Sequence, residues 1–381
     1  MTGLLVLSLT ITLFLPLVTF LAVDQVNRHL YARSRTTPIL VGSKGSPFLL
    51  TFNSLYYKTS VTEPLCFSAY EQLKENLDGA VIPLHTFHTV RGIPVVGTSF
   101  DYFAFRNLEP AQGTLPRMLG DAVLGAEAAR RLKARVKGSV ISDATSIYDI
   151  SAEYPLKMRI TGILAPTGTP DDNVVFVDLK TAWVIDGICH GHENLAGPEA
   201  DLADPGQNPD DAVLFIEASE VVYNSLLKKY NEITPENVHT FHFHGDQGAF
   251  PLSAVIAVPA TYREEVMDLL TRLNLTRDLQ AVRPSEKVEE ILNILLDVKR
   301  IFDAFSVLVL VSTAAFLVLV VSLQIRQRRG ERLILYRIGG GRHTVQALLG
   351  IELLLLFLMS LALAVLLSLG ALAVIRAYIT G

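Results

Sequence analysis

Arg326-Gln327-Arg328-Arg329-Gly330-Glu331-Arg332-Leu333-Ile334-Leu335-Tyr336-Arg337-Ile338-Gly339-Gly340-Gly341-Arg342 is the stretch whose reading decides the fold of this chain. It is basic, and it lies between two uncharged runs, 304–325 and 353–375. Each run is long enough to cross a bilayer as a helix, for which roughly 20 apolar residues suffice. Arginines packed between two spans mark a cytoplasmic loop. Within it, 333–338 interleaves apolar side chains with Arg332 and Arg337, the pattern of a short amphipathic helix lying on the membrane surface. The glycine triplet ends that helix, because glycine reaches positive φ at little steric cost.

Working outward, 4–23 is a third uncharged run. No Lys or Arg precedes it, and Phe20-Leu21-Ala22-Val23-Asp24 is a poor cleavage site, so it reads as an uncleaved anchor rather than a signal peptide. Pro16 is placed to kink it. Arg28, Arg33 and Arg35 follow this span and by themselves would hold its far end in the cytoplasm. The denser arginine cluster at 326–342 argues the reverse: with three spans, placing that loop inside puts 24–302 outside. The totals agree with a membrane protein, since half of the 381 residues are hydrophobic, only 19% are charged and the mean hydropathy is positive. A net charge of -5, with no basic patch beyond the loop, gives no reason to expect nucleic acid as a partner.

The region 24–302 carries the alternating signals of an α/β domain. Helices are expected at 70–77, 126–132 and 260–273, and strands at 80–84, 95–98, 156–163, 174–177, 254–258 and 279–282. Residues 165–172 and 194–212 read as exposed loops, and Asp171 and Asp172 as carboxylates that solvate the first of them. Ser285 is expected to cap a helix whose Val288, Ile291, Leu292, Leu295 and Val298 recur at helical spacing and which runs on into the second span as one rod. Cys66 and Cys189 either pair, if the domain faces an oxidising compartment, or stand as two small buried apolar side chains.

Candidate chemistry is sparse. His85, His88 and the groups His190, His192, His239, His242 and His244 lie in this region. The His-x-His spacings, with Glu193 near, suit zinc or copper, against the simpler reading of polar loop histidines that bind nothing. No hydrolase signature and no phosphate-binding G-x-x-x-x-G-K-[ST] occurs, so the chain is expected to be no enzyme and to hold no cofactor or metal. Glu352, at the mouth of the third span, is either an interfacial contact or a carboxylate reaching the headgroups.

Two groups of residues carry a family resemblance. Arg328-Arg329-Gly330-Glu331, Leu333-Ile334-Leu335, Ile338-Gly339-Gly340 and Glu352 resemble the coupling segment of FtsX/MacB-type ABC transporter permeases, departing from it at Arg332 and Gly341. The pieces 96–103, Gln112-Gly113-Thr114, 123–125 and 129–139 resemble the periplasmic core domain of MacB-type permeases. The resemblance implies an α+β, multi-pass membrane protein: an anchor (1–23), an extracytoplasmic MacB-like core domain (24–302) ending in a stalk helix (285–302), and an FtsX-like membrane domain (303–381) with coupling segment 326–352. It further implies an ABC-type ATPase on a separate chain as partner, met by Arg328, Arg329, Glu331, Arg337, Gly339, Gly340, Gly341, Arg342 and Glu352. A homodimer, or a heterodimer with a related permease, in the bacterial inner membrane is implied as well, with a periplasmic adaptor or substrate protein as a further partner. The family also carries a basic amphipathic helix before its first span and a fourth span after the third, which this sequence does not show. The competing reading is a membrane-anchored extracytoplasmic sensor or binding module that signals without ATP.

Overall fold

The structure is a computed structural model and describes residues 2–58, 63–143, 155–191, 213–217, 220–223, 231–243, 245–260, 264–327, 330 and 342–380. Among these the helices are α1 (Thr2–Arg35), α2 (Pro47–Tyr56), α3 (Phe67–Asn76), α4 (Phe100–Arg106), α5 (Ala126–Leu132), α6 (Leu179–Ile185), α7 (Glu264–Leu275), α8 (Pro284–Gln327) and α9 (Arg342–Thr380). The strands are β1 (Ile39–Ser43), β2 (Leu65–Cys66), β3 (Gly79–Val90), β4 (Ile93–Thr98), β5 (Pro110–Gly113), β6 (Asp121–Leu124), β7 (Ser139–Ile141), β8 (Leu156–Leu164) and β9 (Val175–Asp178). They continue with β10 (Cys189–Gly191), β11 (Val213–Glu217), β12 (Glu220–Tyr223), β13 (Asn231–Glu232), β14 (Phe241–Phe243), β15 (Pro251–Leu252), β16 (Ala254–Pro259) and β17 (Leu279–Val282). The chain divides into two compact units, one holding Arg33–Lys287 and the other Met1–Ala32 with Val288–Ile379.

The first unit is built on an 11-stranded mixed sheet of order β13-β8-β6-β9-β4-β3-β16-β1-β17, with β5 and β7 also paired to β8. Strand composition decides position. β1, β6 and β16 are apolar almost throughout and are buried on both faces in the sheet interior. β8 alternates buried and half-buried residues along its whole length, which is the pattern of a strand covered on one face. Among the described residues, two apolar clusters pack against the sheet. One packs Val95, Leu124, Met158 and Val177 under α5 and α6; the other packs Val41, Val255 and Ala281 under α3 and α7, with Trp183 at its centre. The Trp183 indole N–H donates to the Pro251 carbonyl at 2.9 Å, so this large ring is buried without an orphaned donor.

The sequence placed α5 and β17 at their observed bounds and α6 not at all. Ser285 does not cap α8: the helix already begins at Pro284, and the Glu286 N–H donates to the Arg283 carbonyl. Cys66 and Cys189 are both free thiols; Cys66 is exposed, and burial pushes the Cys189 thiol up to about 11. The loop expected at 194–212 lies outside the described residues.

The described residues of the second unit are helical. Leu5–Arg35, Pro284–Gln327 and Gly350–Ile375 are long and apolar enough to cross a membrane. At about 1.5 Å per residue α8 extends about 66 Å, twice the roughly 30 Å of hydrocarbon it has to cross. Large apolar side chains stand exposed along it and along α9, among them Val307, Val318, Leu366 and Val374, as lipid-facing residues do. Small hydroxyl side chains tie the helices together: Thr12 Oγ1 lies 2.9 Å from Thr313 Oγ1, and Ser360 Oγ donates to the Val6 carbonyl at 3.3 Å.

Candidate functional site

Among the described residues of the sheet unit, two polar constellations stand out, and both are assembled from residues far apart in sequence. The first surrounds Arg33, in the last turn of α1. Its guanidinium grips Asp171 with two parallel hydrogen bonds, Nη1 to Oδ2 at 2.5 Å and Nη2 to Oδ1 at 2.6 Å, and both side chains are almost wholly buried. Tyr102 donates its hydroxyl to Asp171 Oδ1 at 2.8 Å, and the Tyr57 hydroxyl lies 2.6 Å from that of Tyr102. Burial alone would push the Asp171 carboxyl up. The Arg33 charge, its hydrogen bonds and that of Tyr102 outweigh burial and hold it below the ordinary carboxylate range. Arg106, from the end of α4, donates to Thr36 Oγ1 at 2.9 Å and Thr37 Oγ1 at 2.7 Å. The link between α1 and β1 is thereby clamped on both sides.

The local sequence explains why Asp171 turns inward. Thr169 caps the short 3-10 turn Pro170–Asn173 by accepting from the Asp171 N–H, while Asp172 accepts from the N–H groups of Thr167 and Gly168. One acid closes the turn and its neighbour is left facing the core. The expectation that both merely solvate a loop is corrected for Asp171, because a charge at 33 lies within reach only once the chain has folded. Gly125 belongs to the same arrangement: a Cβ there would lie 2.2 Å from the Asp171 carbonyl oxygen. Arg33, read from the sequence as a topology signal, is a buried structural cation.

At this end of the sheet the chain also leaves the domain. β1 begins and β17 ends side by side, with Leu40 opposite Val282 in an antiparallel pair. One residue separates β17 from α8, and three separate α1 from β1.

The second constellation is His85, His88 and Asp186. His85 Nε2 lies 2.6 Å from Asp186 Oδ2 and His88 Nε2 lies 2.6 Å from Asp186 Oδ1, so one carboxylate bridges two imidazoles. Residues three apart on a regular strand point to opposite faces. The register of β3 against β4 shifts between His85 and His88, and this bulge turns both rings to one side, 5.6 Å apart and nearly parallel. Asp186 is the C-terminal cap of α6. Burial holds the His85 imidazole below its ordinary value, and the two imidazoles overcome the opposing effect of burial on Asp186 to hold it down at about 2.

Of the other histidines, His190 and His242 are paired across β10 and β14, His239 and His242 are exposed, and His192 and His244 lie outside the described residues. Among the described residues the metal-capable grouping is His85, His88 and Asp186, not the His-x-His runs. The signal that could have found it was His85-x-x-His88 on a strand, provided a bulge was foreseen. Of the coupling residues, Arg328, Arg329, Glu331, Arg337, Gly339, Gly340 and Gly341 lie outside the described residues; Arg342 opens α9, and Glu352 is half-buried ten residues along it.

A family model described as the MacB-like periplasmic core domain matches residues 2–213. Among solved structures, the periplasmic region of MacB from Actinobacillus actinomycetemcomitans is similar to the chain at 10% identity and a TM-score of 0.35, over 68% of this chain and 94% of that one. No curated protein gives a match.

Proposed function

The chain belongs to the family of the MacB-like periplasmic core domain, and from that premise we propose that it is the permease subunit of an ABC transporter, coupling ATP hydrolysis on a separate ATPase chain to movement of its extracytoplasmic domain. The observation that carries this reading is the extent of the match, which runs from the first apolar helix through most of the sheet unit. The geometry supports it. α1 and α8 both join the sheet through connectors of three residues or fewer, at the same end of adjacent strands. The α1 connector is fixed by the Arg33–Asp171 pair and by Arg106. A shift of either helix along its axis therefore reaches β1 and β17 with little slack. Export of a substrate and mechanical control of an outer partner both use such a motion.

In this reading the loop 326–342 lies in the cytoplasm of a bacterial inner membrane, Arg328, Arg329, Glu331, Arg337 and Glu352 meet the ATPase, and Gly339, Gly340 and Gly341 set the turn into α9, with Arg342 at its start. Two permease chains, identical or related, flank the ATPase dimer. The test is a pull-down of the full-length chain from native membranes, followed by mass spectrometry, beside the double variant Glu331→Arg, Gly340→Pro. An ABC ATPase recovered with the intact chain and lost with the variant is the expected result. Absence of any ATPase from both would overturn the reading in favour of a sensor or binding module.

A further inference from the structure

The His85, His88 and Asp186 constellation is unused by the function just described, and its chemistry points elsewhere. Two imidazole nitrogens and a carboxylate converge with all donor atoms within 4.8 Å of one another. We propose that Nε2 of His85, Nε2 of His88 and the Asp186 carboxylate bind one first-row divalent cation of the zinc class.

Three observations carry this. The first is the bulge in β3, which brings both rings to one side of the strand and onto one carboxylate. The second is burial. The two histidine side chains are 1% and 6% exposed and one carboxylate joins them, so the donors are held largely out of water. The third is donor spacing. Ligands about 2.0–2.1 Å from a tetrahedral ion stand roughly 3.3 Å apart. The observed 2.6 Å contacts are the hydrogen bonds that replace such an ion, and a small outward swing of each ring opens the space.

Two imidazoles with one carboxylate select zinc and its neighbours over magnesium or calcium, which take oxygen ligands. Three protein ligands leave a fourth position for water or an incoming group. Asp186 is the most exposed of the three side chains, at 16%, and is the side from which the ion enters. On binding, each ring presents its Nε2 lone pair as the neutral tautomer protonated on Nδ1, and the ion ties β3 to the end of α6.

The experiment uses the full-length chain in detergent, without a polyhistidine tag, stripped by chelator and titrated with zinc chloride against a competing indicator. Binding of zinc is expected, weakened more than about 100-fold by Asp186→Asn and by His88→Gln, beyond the 10–100-fold of outer-sphere changes. The exposed His242→Gln should leave it intact. Equal binding by Asp186→Asn, loss in His242→Gln alone, or no binding by the intact chain overturns the proposal. Because the variants alter buried groups, zinc X-ray absorption of the unaltered protein is the second measurement. Two imidazoles in the first shell support the site, and any other number overturns it.

Discussion

At the scale of residues, the pair that matters most for the integrity of the outer unit is Arg33 with Asp171. Removing one partner of a buried ion pair leaves the other charge without compensation, at about 3–5 kcal/mol. Asp171→Asn is therefore expected to destabilise the sheet unit by that amount in urea denaturation of the full-length chain, and a replacement of both partners by apolar residues of similar volume should recover most of it. The pair also sets a pH dependence. Asp171 titrates below its ordinary value in the folded unit, so its contribution is complete above the unfolded carboxyl value of about 3.9 and is lost as pH falls from there towards the folded value. Stability attributable to the pair should be level from pH 7 to 5 and should fall below about pH 4. In Asp171→Asn this fall should be shallower. None of this was legible in the sequence. Arg33 and Asp171 are 138 residues apart, and a lone arginine after a membrane span is most simply a topology signal.

At the scale of elements, the sequence is a better guide. α5 and β17 stand where the local sequence put them, and β8 follows the alternation of Leu156, Met158, Ile160 and Leu164. Local pattern fails where tertiary context decides. α6, seven residues with Trp183 in its middle, carries too little periodicity to be distinguished from a strand, yet it fills the centre of a core cluster. The β3 bulge has no local signal either, and with it went the convergence of His85 and His88 on Asp186. In the proposed function, transmission would rest on α8. It runs from the end of the sheet through its apolar length with no break, as the spacing of Val288, Ile291, Leu292 and Leu295 predicts. Val298→Pro removes one backbone hydrogen bond and introduces a clash in that helix, about 3 kcal/mol locally. The expected outcome is an unchanged urea midpoint for the sheet unit with at least a several-fold loss of ATPase stimulation by the purified complex.

At the scale of the whole molecule, three apolar helices and an inserted MacB-like domain make this a membrane protein with an extracytoplasmic unit. In the proposed function, ATP bound in the cytoplasm alters that unit through α1 and α8. Hydrogen–deuterium exchange on the chain copurified with its ATPase, with and without ATP and vanadate, measures this directly. The account predicts changed protection in 284–302 and in the paired strands β1 and β17 when ATP is trapped. Exchange that changes only in the ATPase, with these segments unaltered, would contradict it.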